Sequence, residues 1–206
     1  MTAIDTADPA RMVRPGWWFA VLWVAAFVLP VAVQGAIASI VHEPGAAAQI
    51  GLPEVTVFVL ASATGTGLLV KRYVPRPAFW IIGPIASWCA LLWIGGDHGW
   101  FILSWFTGFL GFPIVLLVFG YVTGVIQSFA FVNADDAGSR HRRARRWIRI
   151  SVLTSLAMLV APFVTGNFPT DWSAPFSVSF VAWLVIASAG GAASCAGILW
   201  ILRKDS

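Results

Sequence analysis

The fold of this chain is decided by residues 100–132, WFILSWFTGFLGFPIVLLVFGYVTGVIQSFAFV, and by residues 140–149, RHRRARRWIR. The first segment runs for 33 residues without a charged side chain, and the second contains six arginines. About 20 apolar residues suffice to cross the ~30 Å hydrocarbon core of a bilayer, whereas the arginines must stay in water or among lipid headgroups. The two segments therefore predict a membrane-spanning helix followed by a basic segment on one side of the membrane.

The composition of the whole chain agrees with this assignment. Its mean hydropathy is +0.82, and only 11% of the residues are charged, against about 25% in soluble globular domains. The net charge of +4 and the pI near 9.7 do not indicate nucleic-acid binding, because the positive residues are confined to a few segments. We predict a single membrane domain over residues 1–206.

The apolar segments predict an all-α integral membrane protein, a bundle of six transmembrane helices. The fourth span exceeds the length that a crossing needs, so it tilts, kinks or extends beyond the membrane. The six predicted spans are residues 17–41, 54–70, 78–95, 100–132, 147–166 and 177–202.

The positive residues predict the orientation of the bundle. With six spans, all 13 Lys and Arg fall on one side of the membrane. The positive-inside rule makes that side the cytoplasm, so both termini are expected there, in the cytoplasmic (inner) membrane of the cell. The four positive segments are Arg11 and Arg14; Lys71, Arg72 and Arg76; residues 140–149; and Arg203 and Lys204.

The arginine-rich segment has a plain and a functional interpretation. It anchors the orientation of the chain, and it could also bind anionic lipid headgroups, a phosphorylated substrate or a protein partner. We predict lipid or partner contacts for Arg140, Arg142, Arg143, Arg145 and Arg146.

The 12 tryptophans divide into two groups. One group falls near the ends of the spans, as in an aromatic belt, and includes Trp17, Trp18, Trp80, Trp147 and Trp200. A second group lies deeper in the spans than a belt requires and comprises Trp23, Trp88, Trp105 and Trp183. These rings fill the bundle, face lipid or line a cavity for a hydrophobic small molecule. The candidate substrate-binding residues are Trp88, Trp105 and Trp183 of this group together with Trp93 and Trp100 of the belt at the outer side.

Two acidic residues at the outer side are candidate proton donors. Asp97 lies in a very short turn between Trp93 and Trp100, so we expect partial desolvation to raise its pKa. Glu54 follows Pro53 at a helix start, where the helix dipole alone could account for a carboxylate. The histidines and acids lack metal-binding spacing, and we predict neither a metal nor another cofactor.

Small residues at spacings of four predict where helices pack closely in lipid. They occur in the second span, at Ala61 and Gly65 and at Ala63 and Gly67. They recur in the sixth span, where they could also form a homodimer contact, at Ala187, Gly191 and Cys195 and at Gly190 and Ser194.

In overall profile the chain resembles the small integral-membrane terpene cyclases of bacterial and fungal indole-terpenoid pathways. The likeness consists of size, the deep Trp88, Trp105 and Trp183, and the acids Glu54 and Asp97, without a shared motif. It implies an enzyme in which a carboxylic acid protonates an alkene or epoxide of an isoprenoid inside an aromatic-lined cavity. Asp97 and Glu54 would be the catalytic acids.

Two other classes of protein fit the same sequence. Proline-interrupted spans and small-residue contacts suit a small-molecule transporter or permease component, although the spans contain no clear charge in the middle of the membrane to couple ions. A non-catalytic subunit of a membrane complex would use the arginine segment for docking. The sequence leaves these alternatives and the oligomeric state open.

Overall fold

The computed structural model describes the backbone of residues 15–41, 52–95, 99–131, 137–165 and 176–204. Side chains are described for residues 15–37, 55–93, 114–131, 141–162, 164–165 and 180–203. These parts of the chain are helical, which confirms the predicted all-α class. The helices are α1 (Trp17–Val41), α2 (Leu52–Val70), α3 (Ala78–Gly95), α4 (Gly99–Ser128), a 3-10 helix (Phe129–Phe131), α5 (Ala137–Val164) and α6 (Phe176–Lys204).

Three described helices are long and apolar enough to cross a membrane: Trp17–Ile37, Ile114–Phe131 and Phe180–Arg203. Two shorter apolar stretches, Val55–Val70 and Ala78–Trp93, lie in α2 and α3. Apolar side chains such as Leu29 and Val33 cover the outside of the bundle, an arrangement that suits lipid rather than water. These features indicate a protein associated with the lipid bilayer.

The arginine-rich segment is helical, so the helix of the predicted fifth span begins well before residue 147. α5 begins at Ala137 and continues through the arginines into its apolar part without a break. Arginine and alanine are strong helix formers, and each added residue gains a backbone hydrogen bond. The arginines therefore form the first turns of the helix that follows.

The helices are arranged as a ring in the order of the sequence. Each helix packs against the one before and the one after it, and α6 packs against α1 to close the ring. The turn between α2 and α3 is tied to the 3-10 helix by a hydrogen bond from the backbone N–H of Arg76 to the carbonyl oxygen of Ala130. Short connections between neighbours account for most of this order.

The predicted small-residue contacts are confirmed at both helices. A Cβ added at Gly65 would lie 2.9 Å from Cβ of Ala26 on α1, and one at Gly67 would overlap Ile81 on α3. On α6, Gly190 approaches α5 at Met158 and Gly191 approaches α1. α2 and α6 thus use glycines on two faces, each against a different neighbour.

The described core consists of two clusters of buried side chains. One cluster, which includes Phe19, Val70 and Ile201, lies at the end of the ring where the α2–α3 turn, the arginines of α5 and the end of α6 meet. We call this the basic end. The second cluster, around Val31 and Ala187, lies farther along the ring, away from the basic end.

Candidate functional site

An internal cavity of about 100 Å³ lies inside the ring, and all six helices contribute to its wall. It is located between the two core clusters, since Trp23 belongs to one and Phe58 to the other, and both line it. Its wall combines aromatic rings with serine and threonine hydroxyls. None of the described side chains that line it is ionisable, so the wall carries no formal charge.

Three tryptophans close the cavity toward the basic end. The rings of Trp80 and Trp147 lie 4.4 Å apart between centroids, and Trp23 meets Trp80 edge-on at 5.8 Å. All three are at most 3% exposed. The prediction that Trp80 and Trp147 belong to an aromatic belt is wrong, because their helices turn them into the ring instead of toward the outside.

Gln127 joins three helices beneath this cluster. Pro84 has no N–H, so the carbonyl oxygen of Trp80, four residues earlier in α3, lacks its intrahelical donor. The side-chain Nε2 of Gln127 donates to that oxygen at 3.0 Å, and its Oε1 accepts from the indole N–H of Trp147 at 3.0 Å. A buried amide thereby satisfies two polar groups that would otherwise be isolated in an apolar interior.

Three of the hydroxyls that line the cavity, those of Ser62, Thr66 and Ser194, are satisfied by their own helix. Thr66 donates to the carbonyl oxygen of Ser62 at 2.8 Å, and Ser194 donates to that of Gly190 at 2.7 Å. Ser194 also accepts the indole N–H of Trp23 at 2.9 Å. This is the usual behaviour of serine and threonine in apolar helices.

Three buried hydroxyls behave differently. The side-chain oxygens of Thr123, Ser151 and Thr154 are buried and have no hydrogen-bond partner in the described protein. All three residues line the cavity, Thr123 on α4 and the other two on α5. These three hydroxyl groups, each able to form a further hydrogen bond, lie on one wall of the cavity. Aromatic rings such as those of Trp23 and Phe58 lie on the opposite wall.

Two glycines set the position of this wall. A Cβ added at Gly120 would overlap Ser155 and lie 2.9 Å from the carbonyl oxygen of Ser151. One added at Gly124 would lie 3.1 Å from Cα of Ile148. Glycine at spacing four lets the backbones of α4 and α5 approach closely, which brings Thr123 and Ser151 to the same part of the cavity.

The predicted substrate-binding tryptophans do not line this cavity where their side chains are described. Trp88 is buried and donates its indole N–H to Thr56 at 2.8 Å, which ties α3 to α2. Trp183 is half-buried, with its ring 6.3 Å from that of Phe58. Trp93 is 86% exposed. The side chains of Trp100 and Trp105 lie outside the described residues.

Neither of the two predicted catalytic acids has a described side chain. Asp97 lies outside the described residues, and so does the side chain of Glu54. Among the residues described, no group of three or more His, Cys, Asp or Glu is arranged to hold a metal ion.

The arginines of α5 lie at the basic end. Arg142 and Arg145 are exposed, and Arg143 and Arg146 are half-buried. The guanidinium carbon of Arg146 lies 5.1 Å from the ring centroid of Trp200 on α6, a cation–π contact. The side chain of Arg140 lies outside the described residues.

The cavity-lining residues carry a sequence signal that composition alone does not reveal. Polar side chains recur at helical spacing within apolar spans, at Ser62 and Thr66, at Thr123 and Gln127, and at Ser151 and Ser155. Such a stripe places hydroxyls and amides on one helix face. In lipid a polar face turns toward the protein interior.

Comparison with known proteins adds no relative: no family model, no curated protein and no solved structure matches the chain.

Proposed function

We propose that this chain is a multi-pass membrane protein that holds a small uncharged molecule inside its helix ring, as a carrier or permease component does. The observation that carries the proposal is the group of unsatisfied hydroxyls on Thr123, Ser151 and Thr154 at the cavity wall. A buried polar group without a partner costs about 1–3 kcal/mol. A guest that hydrogen-bonds to this wall removes that cost and gains affinity.

The wall selects the chemistry of the guest. An ion would lose its hydration without meeting an opposite charge, so the uncharged lining favours a neutral molecule. Hydroxyls on one side and aromatic faces on the other suit a molecule with a hydrogen-bonding group and an apolar part.

The volume limits the size of the guest. A single water requires roughly 10–15 Å³, and the cavity measures about 100 Å³ on the same scale. The cavity therefore holds several waters or one small organic molecule. Pockets for larger ligands measure about 300–1,000 Å³. The cavity therefore favours a small solute over a polycyclic product.

The proposed topology has six spans with both termini in the cytoplasm. It is supported by the sequential ring of helices and by the location of the described arginines at the basic end. A fluorescent protein fused after residue 206 should fluoresce, because it folds in the cytoplasm. Alkaline phosphatase fused after residues 48 and 170 should be active, because it requires the opposite side. Inactive phosphatase at both positions would reject this orientation.

The cavity assignment is tested by solute flux. We expect liposomes containing the protein to admit at least one of glycerol, urea and erythritol faster than empty liposomes, as measured by stopped-flow light scattering, and to exclude lactate. Thr123→Val with Thr154→Val keeps the side-chain shape and removes two hydroxyls. That double variant should slow the flux about 5- to 30-fold.

Thr64→Val is the matched control, because Thr64 is on the exposed face of α2. It should leave the flux unchanged. Equal rates for the control and the double variant would reject the role of the hydroxyls. Liposomes that admit none of the neutral solutes faster than empty ones would reject the carrier function.

A second candidate function is the terpene cyclase. The aromatic faces of Trp23, Trp80 and Phe58 on the cavity wall support it, because they could stabilise a carbocation. The cavity volume opposes it for substrates of isoprenoid size, so the reaction would need additional space. Asp97→Asn and Glu54→Gln should then abolish turnover of a linear prenylated substrate while the fold stays intact. Unchanged product would reject the cyclase.

A further inference from the structure

The outside of the bundle carries a groove between α5 and α6 near the basic end. It measures about 370 Å³ and is open along one side. Its floor on α6 consists of Ala193, Ala196 and Gly197, and Ile150 of α5 packs directly on Gly197. Ile150, Leu153 and Thr154 of α5 form the facing wall, and Thr154 also lines the cavity inside the ring. In a bilayer, an apolar furrow of this kind faces hydrocarbon and has to be filled by it.

Positive side chains continue the same face of α5 toward the basic end. Arg142, Arg146 and Arg149 precede Leu153 at spacings of four, three and four residues, which places them in one stripe on the helix. Arg142 and Arg149 are exposed. Arg146 lies over Trp200, which itself lines the groove. The three arginines and the apolar groove therefore form one continuous surface.

We propose that this surface binds one anionic phospholipid, with the phosphate against Arg142, Arg146 and Arg149 and one acyl chain in the α5–α6 groove. Guanidinium groups bind phosphate oxygens through charge-assisted hydrogen bonds, and a basic cluster at a membrane surface attracts anionic headgroups. Trp200 sits at the junction, where an aromatic ring is favoured at the level of the headgroups. A protein partner would use the arginines but would leave the groove without a function.

The site is tested with lipids of one chain composition and two headgroups. Purified protein is loaded with dioleoylphosphatidylglycerol or dioleoylphosphatidylcholine, and retained lipid is measured by native mass spectrometry. We expect phosphatidylglycerol to be retained at least about fivefold better. Arg142→Gln with Arg149→Gln should remove this preference. Inorganic phosphate should not displace the lipid, because it lacks the acyl chain.

Two further variants separate the parts of the site. Arg72→Gln with Arg76→Gln removes the same charge from exposed positions in the α2–α3 turn and should leave retention unchanged. Ala196→Phe fills the groove at an exposed position, so it should reduce retention of both lipids without unfolding the protein, as checked by near-ultraviolet circular dichroism.

Three results would overturn the lipid site. The first is equal retention of the two lipids by the wild-type protein. The second is a loss of the preference for phosphatidylglycerol in the Arg72 and Arg76 control that equals the loss in the Arg142 and Arg149 variant. The third is full retention in folded Ala196→Phe. Release of a co-purifying protein by the Arg142 and Arg149 variant, with lipid retention unchanged, would assign the surface to a protein partner instead.

Discussion

The side-chain amide nitrogen of Gln127 lies 3.0 Å from the backbone carbonyl oxygen of Trp80 and donates a hydrogen bond to it. The carbonyl requires this donor because Pro84 supplies no N–H one turn later. Gln127 also accepts from Trp147 on α5. Gln127 on α4 thus compensates for the N–H that Pro84 on α3 lacks. The same side chain positions Trp80 and Trp147, which close the cavity toward the basic end.

Gln127→Leu should destabilise the protein by about 2–6 kcal/mol. The leucine leaves two buried groups without partners, the carbonyl of Trp80 and the indole N–H of Trp147, and each costs about 1–3 kcal/mol. The loss is measured as the decrease in the free energy of unfolding in a detergent titration followed by circular dichroism.

The same substitution should cost less in a Pro84→Ala background. Alanine restores the N–H that can bond to the carbonyl of Trp80 within α3, so only the indole of Trp147 remains unsatisfied. The two backgrounds should differ by about 1–3 kcal/mol. An equal cost in both would show that Pro84 and Gln127 are independent.

The hydrogen bond between Trp23 and Ser194 should appear as a coupling free energy. Trp23→Phe and Ser194→Ala each remove one partner of a 2.9 Å bond that joins α1 to α6. A double-mutant cycle on the free energy of unfolding should give about 0.5–1.5 kcal/mol. Strictly additive losses would mean that the bond contributes nothing to closure of the ring.

Gly120→Ala should destabilise the contact between α4 and α5 by about 1–3 kcal/mol. The added methyl group meets Ser155 and the backbone of Ser151, and backbone atoms cannot move aside as a side chain can. Thermal unfolding in detergent measures the effect. Gly16→Ala is the control, because no atom lies within 4 Å of its added Cβ. Equal changes in the unfolding temperature of the two variants would contradict the close approach of α4 and α5.

The two cysteines should differ in reactivity. Cys89 is exposed on α3, whereas Cys195 is buried in the cluster at the basic end. In detergent, N-ethylmaleimide should modify the Cys195→Ala variant roughly tenfold or more faster than the Cys89→Ala variant, as measured by intact mass. Unfolding should remove the difference. Rapid modification of Cys195 in the folded protein would contradict the packing of α6.

Much of the architecture follows from the sequence. The apolar segments predict α1, α3 and α6 closely, because lipid leaves helices as the structure that satisfies the backbone of such segments. The small-residue spacings correctly predict the contacts at Gly65 and Gly191. The start of α5 is missed, since hydropathy detects where a segment leaves water and does not detect where a helix begins.

The candidate cavity could not be predicted in the same way. Among the deep tryptophans, Trp23 lines the described wall, whereas Trp88 and Trp183 do not. The wall also contains Trp80 and Trp147, which the sequence predicted to lie in an aromatic belt. In an apolar helix nearly every face is hydrophobic, so the sequence contains little contrast to show which tryptophan turns inward. Helix rotation is decided by contacts with neighbours.

The sequence by itself determined that this chain consists of apolar helices with its positive charge in a few segments, because those properties depend on the transfer of side chains from water to lipid, residue by residue. Only the tertiary structure decided that the helices close into a ring, that Gln127 compensates for Pro84, and that Thr123, Ser151 and Thr154 face one cavity. These features depend on groups brought together from different helices, and their free energies exist only once the helices have packed.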